Sequence, residues 1–306
     1  MLVKILGSAA GGAFPQWNCA CDNCRAQRAG TFRGKARSQT QVAVSGDGRE
    51  WFLLGASPDL RTQIESTPEL HPRNGIRQSP IAGAVLGNAD IDHVLGLLLL
   101  RELQPLRVHA SESVHRILTE DNSMFGMLQR VSGQLTWTDF TLHTKFPLLN
   151  SAGEDSSLRC FAVSLGRHYP AYVSQWRQTQ ISGEEASVGL FVECQTGKRF
   201  AYLPAVPEID DALLKELDSC DVLLFDGTFW SDNELIRIQG AGQTARQMGH
   251  VPVCESLSRL AQVRRPRKIY VHINNTNPML NEAGPEFPQV RAAEWEIAED
   301  GWQFEL

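Results

Sequence analysis

Residues 82–100 hold an apolar stretch, Ala82-Gly83-Ala84-Val85-Leu86, then Asn88-Ala89-Asp90-Ile91-Asp92-His93, then Val94-Leu95-Gly96-Leu97-Leu98-Leu99-Leu100. The first part reads as a buried strand and the last as an apolar helix, so two carboxylates and an imidazole crowd a strand-to-helix turn. Acids at a helix start are ordinary capping and first-turn residues; His93 beside them is harder to account for that way.

Outward from this turn, the pattern predicts strands over 2–6, 40–45, 51–54, 82–86, 106–109, 140–148, 159–165, 188–194, 199–203, 221–226 and 268–273. It predicts helices over 57–66, 91–102, 111–130, 209–219, 252–262 and 289–299. Ser57-Pro58-Asp59 reads as an N-cap, a proline at the first helical position and an acid in the first turn. Runs of strands with helices interspersed imply an α/β, α+β-layered chain, two sheets with helices outside, rather than a doubly wound parallel sheet. With no repeat or linker, 1–306 reads as one domain, closed by a helix and strand over 289–306. Residues 151–157 and 174–186, rich in Ser, Gly and Glu, read as exposed loops or a lid.

The 306 residues are 42% hydrophobic, enough for a large core. Lys plus Arg number 29 and Asp plus Glu 35, a net charge of −6, which disfavours broad binding to a nucleic-acid backbone. The longest apolar run, Val94–Leu100, is far short of a membrane span. Met1–Gly7 lacks a basic n-region and a signal h-region. Collagen, coiled-coil, disordered and transmembrane classes are excluded. Seven cysteines, three clustered and four scattered, are no disulfide framework and fit a cytoplasmic protein.

The cluster is Cys19-Ala20-Cys21-Asp22-Asn23-Cys24. Three thiolates within six residues suit Zn2+, and a structural zinc needs a fourth ligand from elsewhere. Other polar residues stand at strand ends or helix starts, where sites are built. His272 follows Lys268–Val271, Asp226 follows Asp221–Phe225 and precedes Gly227-Thr228, His168 follows Phe161–Leu165 after two residues, and His250 precedes a helix. His71, His109, His115 and His143 lack such context. Gly7-Ser8-Ala9-Ala10-Gly11-Gly12-Ala13 is no Walker loop and reads as a tight turn packed against the site.

The unit Asn88-x-Asp90-x-Asp92-His93 resembles the His-x-His-x-Asp-His signature of the metallo-β-lactamase superfamily. Leu54–Arg61, Phe225–Phe229, Met248–His250 and Val271–Asn275 are similar to its tRNase Z and phosphonate-pathway phosphodiesterase branch, as is Cys-x-Cys-x-x-Cys to that phosphodiesterase's structural zinc site. The opening Gly7–Cys19 and the run His93–Glu102 resemble, over essentially the whole chain, the coenzyme PQQ synthesis B family. The resemblance implies an αββα sandwich and a role in making pyrroloquinoline quinone (PQQ) from a peptide-borne Glu–Tyr pair.

Against the superfamily pattern, Asn88 and Asp90 occupy histidine positions, while Asp92 and His93 are retained. His168 falls about where the third-strand histidine is expected, and His272 matches the last histidine. Pro204 or Ala205 holds the place of the bridging aspartate. His250 matches a proposed proton donor, and Asn275 stands where the phosphodiesterases' fourth zinc ligand, a histidine, would be. A dinuclear hydrolytic site needs that bridge. Asp92, His93 and His272, with Asp90 nearby, instead form a 2-His-1-carboxylate set, the pattern of non-haem Fe2+ oxygen chemistry.

The expected function is hydroxylation of a tyrosine-derived PQQ precursor at one Fe2+ or another divalent metal, with His250 or Asp226 moving protons. Two alternatives stay open. One is a carrier that binds PQQ or its precursor and assists its transport towards the periplasm, with Arg61, Arg167 or Arg199 meeting the carboxylates. The other is a two-metal hydrolase acting on the precursor peptide. A homodimer is expected only from the general frequency of such assemblies.

Overall fold

The computed structural model describes residues 1–306, and the chain forms two compact units. The first comprises Met1–Leu6, Gln41–Lys198 and Gln303–Leu306; the second comprises Gly7–Thr40 and Arg199–Trp302.

In the first unit the strands are Leu2–Gly7 (β1), Gln41–Ser45 (β2), Trp51–Leu54 (β3), Ile81–Val85 (β4), Leu106–Ala110 (β5), Leu135–Asp139 (β6), Phe146–Leu149 (β7), Asp155–Gly166 (β8) and Ser187–Glu193 (β9). With Trp302–Glu305 (β14), β1 to β6 follow the order β14-β1-β2-β3-β4-β5-β6. β2 and β3 are antiparallel, with Val42 opposite Leu54, whereas β3 to β6 run parallel, with Val85 opposite His109. All five residues of β4 are buried, the continuous apolar run of a strand covered on both faces. Leu53, Ala84, Leu97, Val108, Val114 and Ile117 share one core, so β3–β5 and the segments after β4 and β5 bury a common face. β7, β8 and β9 form an antiparallel ribbon, with Phe161 opposite Phe191 and their rings edge to face.

In the second unit Arg199–Leu203 (β10), Val222–Asp226 (β11), Arg267–Val271 (β12) and Trp295–Ile297 (β13) run parallel. The register sets Phe225 beside both Leu203 and Tyr270, and Asp226 beside Val271. The carboxyl ends of β11 and β12 therefore lie side by side, which brings Asp226 next to the residue that precedes His272.

Several elements depart from the sequence expectations for local reasons. The helix expected over 91–102 is α-helical only at Ile91–Val94 and tightens to a 3-10 turn over Leu95–Leu100. The His93 carbonyl accepts from Ala56 N (2.7 Å) instead of continuing the helix, and Gly96 N donates to Ala56 O (2.9 Å). A Cβ at Gly96 would stand 2.3 Å from Ser57 O, so only glycine permits this approach. Ser57 is no N-cap: its buried hydroxyl donates to Gln63 Oε1 (2.8 Å), and the helix runs over Leu60–Glu65 from Asp59. The helix expected over 111–130 ends at Glu120, where Asn122 Nδ2 takes the Ile117 carbonyl (2.9 Å).

The strand expected over 140–148 is broken by a turn with His143 at φ 58°; β6, which lies where no element is expected, and β7 flank it. The helix expected over 289–299 stops at Ala292, because Glu294 takes φ 62° and turns the chain into β13. Nor is 174–186 wholly a loose loop. It holds a helix, Gln175–Gln178, whose Arg177 is buried against Asp121 and Glu120 at 2.8 and 2.7 Å. Residues 155–157 begin β8 rather than extending the loop before it. No helix is long and apolar enough to cross a membrane.

Candidate metal and catalytic site

In the second unit Asp226, Thr228, His250 and His272 are all buried. Asp226 closes β11, Thr228 follows two residues on, and His272 follows β12. The Asp226 carboxylate accepts from Thr228 N (3.0 Å), Thr228 Oγ1 (2.7 Å) and Val206 N (2.9 Å), and lies 2.9 Å from His250 Nδ1. An ionised carboxylate can only accept, so His250 carries a proton on Nδ1 and turns Nε2 away from Asp226. Thr228 Oγ1 stands 2.8 Å from His272 Nδ1 and 2.9 Å from the His272 carbonyl. With its single proton engaged on an oxygen, the hydroxyl accepts from His272 Nδ1–H, which leaves Nε2 as the basic nitrogen. The two rings stack at 5.4 Å and 23°, and Phe229 packs edge-on against His250. Ligand atoms of Asp226, His250 and His272 lie within 4.8 Å of one another.

His272 has φ 56°, a strained conformation for a residue with a side chain. Its neighbours hold it there: Ile273 N donates to Ser8 O (3.0 Å), Ala10 N to Ile273 O (2.9 Å) and Asn274 N to Thr228 O (3.0 Å). The glycine-rich stretch thus packs its Ser8–Ala10 against the residue after His272 and turns at Gly11–Ala13.

The three cysteine sulfurs also lie within 4.8 Å of one another. Burial pushes the Cys21 thiol up to about 12, outweighing the hydrogen bond that Cys24 offers. For Cys19, burial acts upwards too, yet hydrogen bonds involving Cys21, Cys24 and Asn275 hold the thiol below its ordinary value. Three thiols this close cannot all ionise unless a cation joins them. Asn275 Nδ2 stands 3.1, 3.6 and 3.3 Å from the sulfurs of Cys19, Cys21 and Cys24, so its amide caps the open face of the triad. With the oxygen of that amide in place of its nitrogen, Asn275 would supply a fourth, weak donor. The donors fit a structural zinc.

In the first unit Asp90 occupies the N-cap position before Ile91–Val94 yet makes no side-chain cap bond, so capping is not what its carboxylate does. His168 Nε2 lies 3.8 Å from Asp90 Oδ2, and His93 Nε2 lies 3.9 Å from Asp92 Oδ2. His93 is buried, with Gly55, at φ 77°, against its ring. Tyr172 donates its hydroxyl to Ala89 O and so seats the segment after His168 against this loop. Burial and the charges of Asp90 and Asp121 push its phenol well above the ordinary range. Asn88 holds the turn by accepting Asp90 N (3.0 Å).

Of the arginines, Arg61 and Arg167 are exposed. Arg199 is instead engaged by Glu216 (2.9 Å) and Ser219 (2.6 Å), which removes it from the candidates for a ligand carboxylate. Thr228 went unassigned in the sequence; its place after Asp226-Gly227 at a strand end was the available signal. Glu234 had none, since its burial and its bonds from Thr276 Oγ1 (2.5 Å) and Trp230 N (2.6 Å) exist only in the folded chain.

The beta-lactamase superfamily domain model matches residues 50–273. The chain is 41% identical over 308 residues to coenzyme PQQ synthesis protein B of Methylobacterium sp. (strain 4-46), covering 98% of both chains. It is 40% identical over 309 residues to the protein of that name from Azotobacter vinelandii, covering all of both. Among solved structures, Zn2+-bound PqqB from Methylobacterium extorquens matches with TM-score 0.90 and 37% identity over the full length of both chains. A diphosphatase of the PhnP family matches with TM-score 0.68 and 20% identity, covering 100% of this chain and 96% of that one, a likeness of fold alone. The fold is thus the metallo-β-lactamase fold, mixed sheets layered with helices, and the chain belongs to the coenzyme PQQ synthesis protein B family.

Proposed function

We propose that this protein serves PQQ biosynthesis by inserting oxygen into the ring of a tyrosine-derived precursor, at a single divalent metal, Fe2+ in the active state. Asp92, His93 and His272 would hold the metal, with Asp90 and His168 adding charge and a further imidazole. The donor set carries this reading: one carboxylate and two imidazoles, with Pro204-Ala205, which offer no ligand side chain, in the place of a bridging carboxylate. Zinc in the Methylobacterium extorquens relative supports a metal-binding family and leaves the active ion to be assigned. When bound, the iron supplies oxygen activation.

The chain's own residues bind, orient and move protons. Thr228 fixes the ring of His272, as a hydrogen-bonded partner fixes a ligating histidine in other metal sites. Asp226 orients His250, whose Nε2 takes the proton from the precursor's phenol. Fully enclosed and accepting at both oxygens, Asp226 is better placed to orient than to shuttle. Arg61 and Arg167 are the cations for the precursor's carboxylates.

The test is anaerobic loading with Fe2+, followed by oxygen, a reductant and a tyrosine-containing precursor. A product heavier by one oxygen atom supports the proposal; an unchanged precursor with full iron occupancy overturns it. Tight PQQ binding without turnover would favour the carrier role, and peptide cleavage with two bound metals the hydrolase.

A further inference from the structure

We propose that Asn23 and Asn277 are positioning residues, through which the cysteine loop sets the orientation of the His250 and His272 imidazoles. Asn23 lies between Cys21 and Cys24, at the start of the helix Asp22–Arg28. Its Nδ2 donates to the backbone carbonyls of Asn275 and Asn277, both at 3.1 Å. The Asn277 side chain has no exposure; Nδ2 donates to Gly227 O (2.9 Å) and Thr228 O (3.4 Å), and Oδ1 accepts Met279 N (3.0 Å). Asn274 N donates to the same Thr228 carbonyl. The Thr228 hydroxyl then meets both imidazoles, at 3.1 Å for His250 Nδ1 and 2.8 Å for His272 Nδ1.

Every link from thiolate loop to imidazole is thus a hydrogen bond in one unit, made by buried or half-buried groups. The three sulfurs fix the helix start that carries Asn23, Asn23 fixes the strand-end loop 274–277, and that loop fixes the Gly227-Thr228 peptide. The Asn275 amide over the sulfurs gives the loop a second hold on the same cluster. A shift of the cysteine loop therefore reaches the histidine pair without passing through the hydrophobic core.

The inference rests on the reading of His250 and His272 as working residues, but its test needs neither metal nor substrate at them, so either can fail alone. Nitrogen-detected NMR of the full-length chain reads the tautomer of each imidazole. The wild-type protein is expected to show mainly the Nδ1–H form of both. In Asn23→Ala the two signals should move towards mixed tautomers, while those of His109 and His115, in the other unit, stay in place and the urea midpoint changes little. Cys24→Ser, which takes one sulfur from the cysteine loop, should produce the same mixing when it and the wild-type chain are compared with zinc as the metal supplied to the cysteines alone. Unchanged His250 and His272 signals after either perturbation would overturn the proposal.

Discussion

The hydroxyl of Thr228 lies 2.8 Å from His272 Nδ1 and gives its proton to Asp226 at 2.7 Å, so one side chain fixes the ring of this histidine and ties it to the carboxylate beside His250. Removing that hydroxyl tests the pairing. Thr228→Val keeps the shape, takes the hydroxyl away from His272 Nδ1, and leaves Asp226 Oδ1 with the Thr228 N–H but without the hydroxyl. We expect a stability loss of about 1–3 kcal/mol, the worth of a buried hydrogen bond to a charged acceptor. Divalent-metal affinity should fall on the order of 10–100-fold, as when a histidine ligand loses its orienting partner. Calorimetric metal titration checks it; unchanged affinity would remove Thr228 from the site.

The cysteine loop yields a second prediction. Asn275 caps three sulfurs at 3.1–3.6 Å with an amide, a weaker zinc donor than imidazole. Asn275→His should slow zinc loss to a chelator on the order of 10-fold. Cys24→Ser, at a buried position, should release the zinc and lower the thermal midpoint. Zinc content by mass spectrometry, with the second metal left out, decides both.

Much of this was legible from residues whose chemistry is local. The cysteine triplet, the acids and histidine at 90–93, and the polar residues closing 221–226 and 268–272 all announce themselves by type and place. What the sequence hid was set by tertiary contacts. The helix after His93 shortens because Ala56 N captures the His93 carbonyl, and no pattern in 91–102 foretells a partner at 56. Strand β6 carries Thr136, Thr138 and Asp139 among few apolar residues, so its alternation was too polar to read. Asn23 and Asn277 look like turn residues until the fold sets one against the loop that holds the other.

The segment after His168 yields a third. Arg177 is only 4% exposed and pairs with both Asp121 and Glu120, while Ser113 Oγ donates to Ser182 O (3.0 Å) and Ser111 Oγ to Glu185 O (2.7 Å). These bonds hold 174–186 on the helix Glu112–Glu120. Arg177→Met keeps the bulk and removes the charge. Amide exchange over 170–186 should accelerate at least about 10-fold, since losing a buried charged partner is worth more than 1.4 kcal/mol. Protection of β4 and β5 should not change. Equal loss in those strands would show a global rather than a segmental hold.

The last concerns pH. Burial pushes Glu234 up to about 7, against the opposing hydrogen bonds from Thr276, Trp230 and Ser231. Its folded value therefore lies above the ordinary glutamate value of 4.5. Below about 4.5 the carboxyl is protonated in both states, and the native chain bears no ionisation cost there. As pH rises towards 7 the unfolded chain ionises first, so stability falls, and above 7 the loss levels off. The full difference is on the order of 3 kcal/mol. Glu234→Gln removes the titration and keeps a donor–acceptor pair for Thr276 and Trp230. Urea unfolding from pH 4.5 to 8 should show the wild-type chain losing stability relative to Glu234→Gln across that window. A constant difference between the two would mean that Glu234 ionises as easily in the folded chain as in the unfolded one.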